Sequence, residues 1–124
     1  MRRIAPLFLV AMLLTACGGA SKPAAPAPAK LEVTEFVFDL EDPVAPNVRG
    51  WVTNTGGAAQ YVELAVKLTP PNDPDTIYMS GWTNFSNFRS GETRAFTIYL
   101  FGEPPPADYA VHWRYSTDVG GAAY

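Results

Sequence analysis

The sequence predicts an all-β fold, an antiparallel sandwich of about seven short strands. Three observations predict it. Apolar and polar residues alternate in segment after segment, which is the period of a half-buried strand. Gly, Pro, Asn or Asp interrupts almost every window of about a dozen residues, so no helix-length period survives. Clusters of those same residues fall between the alternating segments, where tight turns belong. Two such sheets would pack face to face about 10 Å apart.

Two segments of a different kind precede the strands. Arg2 and Arg3 stand before an apolar run from Ile4 to Leu14, followed by Thr15, Ala16 and Cys17. A charged start, an apolar middle and a small-residue end make Met1 to Ala16 a signal peptide. The run is too short for a spanning helix, which needs about 20 apolar residues. Leu14-Thr15-Ala16-Cys17, followed by Gly18, resembles the lipobox of bacterial lipoproteins. That resemblance implies that Cys17 is lipidated and begins the mature protein. It also implies attachment in the cell envelope: to the outer membrane if the host has one, otherwise to the extracytoplasmic face of the cell membrane. Plain secretion would leave Cys17, the only cysteine, as an odd thiol in an oxidising compartment. No disulfide can staple the fold.

Residues 17–30 hold Pro23, Pro26 and Pro28 among alanines and cannot bury an apolar face. At about 3.1 Å per residue in polyproline II, they reach roughly 40 Å as a tether. Residues 31–124 then suffice for one small domain. The whole chain carries a formal charge of −3, and the leader removes two arginines but no acid. This acidic balance argues against nucleic acid as a partner.

The strands follow in order. Glu35 to Leu40 puts Phe36, Phe38 and Leu40 on one face and ends at Asp42-Pro43. Val48 to Thr53 puts Val48 and Val52 on one side, with Trp51 on the other. Asn54-Thr55-Gly56-Gly57 is a turn, since Asn and Gly tolerate positive φ. Tyr61 to Thr69 alternates most cleanly, with Val62, Leu64, Val66 and Leu68 inward and Tyr61, Glu63, Lys67 and Thr69 outward. Pro70 to Pro74 leaves the sheet, because its prolines lack ladder donors. Thr76 to Trp82 is a weaker strand. Thr93 to Phe101 is strong, with Phe96, Ile98 and Leu100 on one face. Asp108 to Ser116 alternates Tyr109, Val111, Trp113 and Tyr115 against Ala110, His112 and Arg114.

Three stretches carry a family resemblance: Val48-Arg49-Gly50-Trp51-Val52-Thr53-Asn54-Thr55-Gly56, Tyr61 to Leu68, and Ser90-Gly91-Glu92-Thr93-Arg94-Ala95-Phe96-Thr97-Ile98. They resemble the strand end, alternating third strand and "p-G-E-t-x-x-F" turn of the Ig-like envelope modules known as FxLYD and CARDB domains. The resemblance spans roughly Val48 to Tyr115. It implies an Ig-like sandwich and an adhesion or spacer role without enzymatic activity. Pro106 to Val111 is similar to the entry of the penultimate strand in fibronectin-type sandwiches, where Tyr109 would hydrogen-bond back to the preceding corner.

Catalytic sets are sparse. His112 is the only histidine, which excludes two-histidine metal sites, and no G-x-S-x-G elbow surrounds a serine. Asp73 with Asp75, and Asp39 with Glu41 and Asp42, lack the spacing of a calcium loop and read as turn chemistry. No cofactor or metal is implied. What exceeds the needs of a core is aromatic: Tyr78, Trp82, Phe85 and Phe88 lie close together among Ser, Thr and Asn, and Trp51 has outward parity. Such rings suit a protein partner or a glycan; alternatively, the segment plugs one end of the sandwich. The expectation is a lipid-anchored, non-catalytic binding or structural module contacting an envelope protein or glycan. The alternatives are an accessory subunit that pairs by strand addition and a carbohydrate-active enzyme with two opposed carboxylates.

Overall fold

The structure is a computed structural model that describes residues 26–124. Cys17, the leader and the first part of the expected tether lie outside the described residues. The rest is all-β, as the alternation requires. Strands β1 (Leu31–Asp39), β2 (Asn47–Asn54), β3 (Ala59–Thr69), β4 (Met79–Phe88), β5 (Thr93–Tyr99), β6 (Phe101–Gly102) and β7 (Ala110–Ser116) follow one another without a helix among the described residues. They form two antiparallel sheets, ordered β1-β2-β5 and β6-β4-β3-β7, in an Ig-like sandwich. Val48 and Val52 of β2 and Phe96 and Ile98 of β5 pack into one core with Val62, Leu64, Val66 and Leu68 of β3. Each such side chain contributes about 1.5–3 kcal/mol when fully buried.

Strand β1 starts at Leu31, four residues earlier than the alternation indicated. Leu31 and Val33 share one parity, whereas Phe36 and Phe38 have the other. A register shift between Val33 and Glu35 reconciles them, since one extra residue in a bulge turns the following side chains to the opposite face.

Strand β4 runs to Phe88, through a segment whose alternation looked poor. Its inward row is Met79, Gly81, Thr83 and Phe85, so two inward positions carry no apolar signal. Gly81 has a packing reason. A Cβ there would run into the carbonyl of Tyr99 and lie 2.8 Å from Ile98 Cγ2. At this corner the chain crosses between sheets: Leu100 is buried, its N–H donates to the Pro46 carbonyl (2.8 Å), and the expected single strand Thr93 to Phe101 divides into β5 and β6. Gly81→Ala is expected to destabilise the fold by about 2–3 kcal/mol through overpacking against backbone. A lower urea midpoint with the same far-ultraviolet dichroism would be the readout.

The Asn54–Gly57 turn forms, but for a reason other than positive φ, which none of its residues adopts. Side chains at Gly56 and Gly57 would collide with the backbone of residues 27–30. That stretch docks here: the N–H of Gly57 donates to the Pro28 carbonyl (2.9 Å) and that of Thr55 to the Lys30 carbonyl (2.8 Å), while Ala29 is buried. Pro28 to Lys30, expected in the tether, therefore belong to the folded body. Asn54 lies at the centre of this junction and is completely buried. Its Oδ1 accepts from the N–H of Lys30 (3.2 Å) and of Gly56 (3.0 Å), and its Nδ2 donates to the carbonyls of Gly57 (2.9 Å) and Phe88 (3.2 Å).

Candidate functional site: an aromatic face held by a C-terminal strap

The outer face of the four-stranded sheet is built by alternation. Ser80, Trp82 and Asn84 of β4 lie beside Lys67, Ala65 and Glu63 of β3, which in turn lie beside His112, Arg114 and Ser116 of β7. Period alone assigns this row to solvent. Yet Glu63, Ala65 and Thr69 are all fully buried. The chain after β7 accounts for Glu63, because it crosses this face rather than running back along the sheet edge.

Glu63 holds that strap down. Its carboxylate accepts hydrogen bonds from the N–H of Gly120 (2.7 Å), the N–H of Ala122 (3.1 Å) and the hydroxyl of Tyr61. Burial pushes the carboxyl pKa up, but the three donors outweigh that penalty, and the net position is below the ordinary glutamate value. The shared bond moves Tyr61 in the opposite sense, up from the usual phenol value. Arg114 completes the clamp: its Nε donates to the Ala122 carbonyl (2.6 Å) and its terminal nitrogen to that of Ala123. The Tyr124 ring lies 4.0 Å from the Arg114 guanidinium and 4.8 Å from Lys67 Nζ, both within cation–π range.

The strap brings Tyr124 beside two exposed rings. Trp82 is 48% exposed and Phe101 75%. Phe101 pairs with Ser80 through the short β6 ladder, which places it on the same face as Trp82. Together with Ser80, Gly81 and Ala123 these rings line a cleft of about 280 Å³. That is just under the range of drug-sized pockets, roughly 300–1,000 Å³, and suits a single ring-sized group. No Asp or Glu side chain is among the described residues that line it.

The five rings expected to form one patch separate. Trp82 lies on the aromatic face. Phe85 and Phe88 are core residues with ring centroids 5.0 Å apart, which removes them from any surface. Tyr78 is half-buried against that core. Trp51 is exposed on the outer face of the other sheet, above a separate hollow of about 490 Å³ rimmed by Glu35, Arg49 and Thr97. In their place come Phe101, Tyr124 and the clamp of Glu63 and Arg114. The one signal for the clamp was Glu63 itself, an acid within the most apolar strand.

The polar residues have structural partners. His112 Nε2 shares a hydrogen bond with the buried Thr69 hydroxyl (3.0 Å). Asp42 Oδ1 accepts from the N–H groups of Val44 and Ala45, and Asp73 from the N–H of Asp75 and the hydroxyl of Thr76, so both carboxylates build turns. Tyr109 meets Phe38 edge to face at 5.9 Å and makes no corner hydrogen bond among the described residues. No group of three potential metal ligands assembles among the described residues. No protein-family model, curated protein or solved structure matches this chain.

Proposed function

We propose that this chain is a lipid-anchored, non-catalytic module of the cell envelope that contacts a protein or glycan through the Trp82 face. The observation that carries the reading is the cleft itself, in which the exposed Trp82 and Phe101 rings flank Tyr124 beside Ser80. Contiguous exposed rings are unusual on a surface without a partner, and aromatic anchors dominate binding energy where they occur. The buried clamp adds preorganisation, since a ring held in place loses little freedom on binding. The lipobox-like Leu14-Thr15-Ala16-Cys17 and the prolines behind it support a location on a membrane surface, with the domain held clear of the lipid.

A photocrosslinking residue at position 101, in the full chain in its native envelope, tests the reading. It is expected to capture one dominant protein or glycan, and Trp82→Ala is expected to reduce that capture about tenfold or more with folding intact. Equal capture by the Trp82→Ala chain would overturn it.

A further inference from the structure

We infer that the open edge of β7 receives an additional strand from another protein: an extended segment with apolar side chains at alternate positions and a carboxylate on its outward row opposite Arg114. The two long sides of the sandwich differ. On one, the chain crosses from β5 to β6 at Leu100, Gly81 packs on the Tyr99 backbone, and Arg94 of β5 donates to the Ser86 and Asn87 carbonyls of β4, so β4 and β5 are tied to each other across that side. On the other, β1 and β7 are the edge strands of their sheets, and β3 is the only ladder partner of β7 among the described residues. In an Ig-type sandwich the strand at this place has neighbours on both sides. Here the chain after Ser116 turns onto the outer face and fastens to Glu63 instead.

The seam beside this edge is apolar. Phe36 and Trp113 meet at 5.4 Å, yet Phe36 is 46% exposed on its inward row and Tyr115, also inward, is 41% exposed. A strand added to β7 would cover these rings with every second side chain. Exposed edges are normally blunted by bulges, prolines or charges. Strand β1 has its bulge at Thr34 with Glu32 and Glu35 exposed, whereas β7 keeps an unbroken register from Ala110 to Ser116 without proline or bulge.

The charge pattern selects the occupant. The outward row of β7 carries His112 and Arg114; Arg114 donates to the strap carbonyls of Ala122 and Ala123 but remains exposed, and no carboxylate offsets its charge among the described residues. Antiparallel pairing of β7 with a second copy sets His112 against His112, His112 against Arg114, or Arg114 against Arg114 in its three central registers. None of these supplies an acid, and the register that sets Arg114 against Arg114 places like charges directly opposite, which is destabilising. A foreign strand bearing a carboxylate meets both requirements, in the manner of strand addition.

The probe is a synthetic peptide of about ten residues, alternating valine and threonine with one threonine replaced by aspartate, added to the isotope-labelled full chain. Amides within Ala110–Ser116 are expected to gain hydrogen-exchange protection. Lysine in place of the aspartate is expected to weaken binding to the unaltered protein about threefold to fivefold. Methylating alternate peptide nitrogens is expected to abolish binding without altering the protein. The inference is overturned if the methylated peptide binds equally, if protection falls elsewhere or nowhere, or if β7 becomes protected by raising the protein concentration alone, which would assign the edge to a second copy.

Discussion

Replacing Asn54 by alanine is expected to lower the stability of the domain by about 3 kcal/mol, and its melting temperature by roughly 12–20 °C. The side chain makes four hydrogen bonds, joining the docked N-terminal stretch, the β2–β3 turn and the end of β4. At the low end of the net range, about 0.5 kcal/mol per bond, the four bonds account for about 2 kcal/mol, and stranding buried partners such as the Phe88 carbonyl adds the rest. The backbone of Asn54 also bonds to the turn before β5, donating to the Glu92 carbonyl (2.9 Å) and accepting from the N–H of Gly91 (2.7 Å), so loosening here spreads to that turn. Thr55→Ala, one residue away and exposed, is the control. Its only side-chain bond among the described residues reaches the Lys30 carbonyl at 3.3 Å, and the change is expected to stay within about 0.5 kcal/mol. Paired thermal melts that fail to separate the two variants would refute the central role given to Asn54.

The second large effect is expected at Glu63. Its carboxylate is fully buried and is stabilised in its charged form by three hydrogen-bond donors, with no cation paired to it among the described residues, while Lys67 and Arg114 lie against the Tyr124 ring. Glu63→Gln keeps the shape but replaces one acceptor oxygen with a donor. One strap N–H then faces an NH₂ group, a loss of about 2–3 kcal/mol given the strength of bonds to charged groups. The local signature is specific: the Gly120 and Ala122 amides lose exchange protection while the β2 and β5 amides keep theirs. Trp82 fluorescence should shift as well, because Tyr124 leaves the cleft that the two rings share.

The pH dependence follows from the same carboxylate. Its folded-state pKa is below the ordinary glutamate value of 4.5, so the unfolded chain binds the extra proton first as pH falls. Its stabilisation is present above that ordinary value and is lost as pH falls through the depressed one. Asp42, Asp73 and Glu92 are shifted in the same direction, by the backbone N–H groups of Val44 and Ala45, by the Thr76 hydroxyl and by the Arg94 guanidinium respectively. All four contributions fade over the same acid range. Glu63→Gln is expected to remove the strap's share of that acid sensitivity, leaving Gly120 and Ala122 exchange insensitive to acid beyond the intrinsic chemistry.

The strands were legible wherever side chains themselves carry the alternation. β3, β5 and β7 appear at or within two residues of their expected bounds, because Val, Leu, Ile and aromatic residues occupy their inward positions. Legibility failed where geometry replaced side-chain chemistry. The inward row of β4 contains Gly81, required by a crossing backbone, and the parity of β1 breaks at a bulge. The candidate site was less legible than the fold. Parity assigned Trp51 to an outer face, but around Trp82 the alternation is poor, and proximity in sequence grouped Trp82 with Phe85 and Phe88, which lie in the core. Phe88 regains the inward side only after Asn87 adopts a positive φ of 52°, a local twist that no apolar pattern announces.

By itself, then, the sequence determined which segments are strands, which of their faces are apolar and where the turns interrupt them, because those properties are periodic and local. Only the tertiary structure decided what covers each face. A strap brought from the far end of the chain buries Glu63 and frames the aromatic cleft, while the seam beside β7 stays open. Coverage depends on contacts between residues nearly sixty positions apart, as from Glu63 to Ala122, and alternation carries no information at that distance.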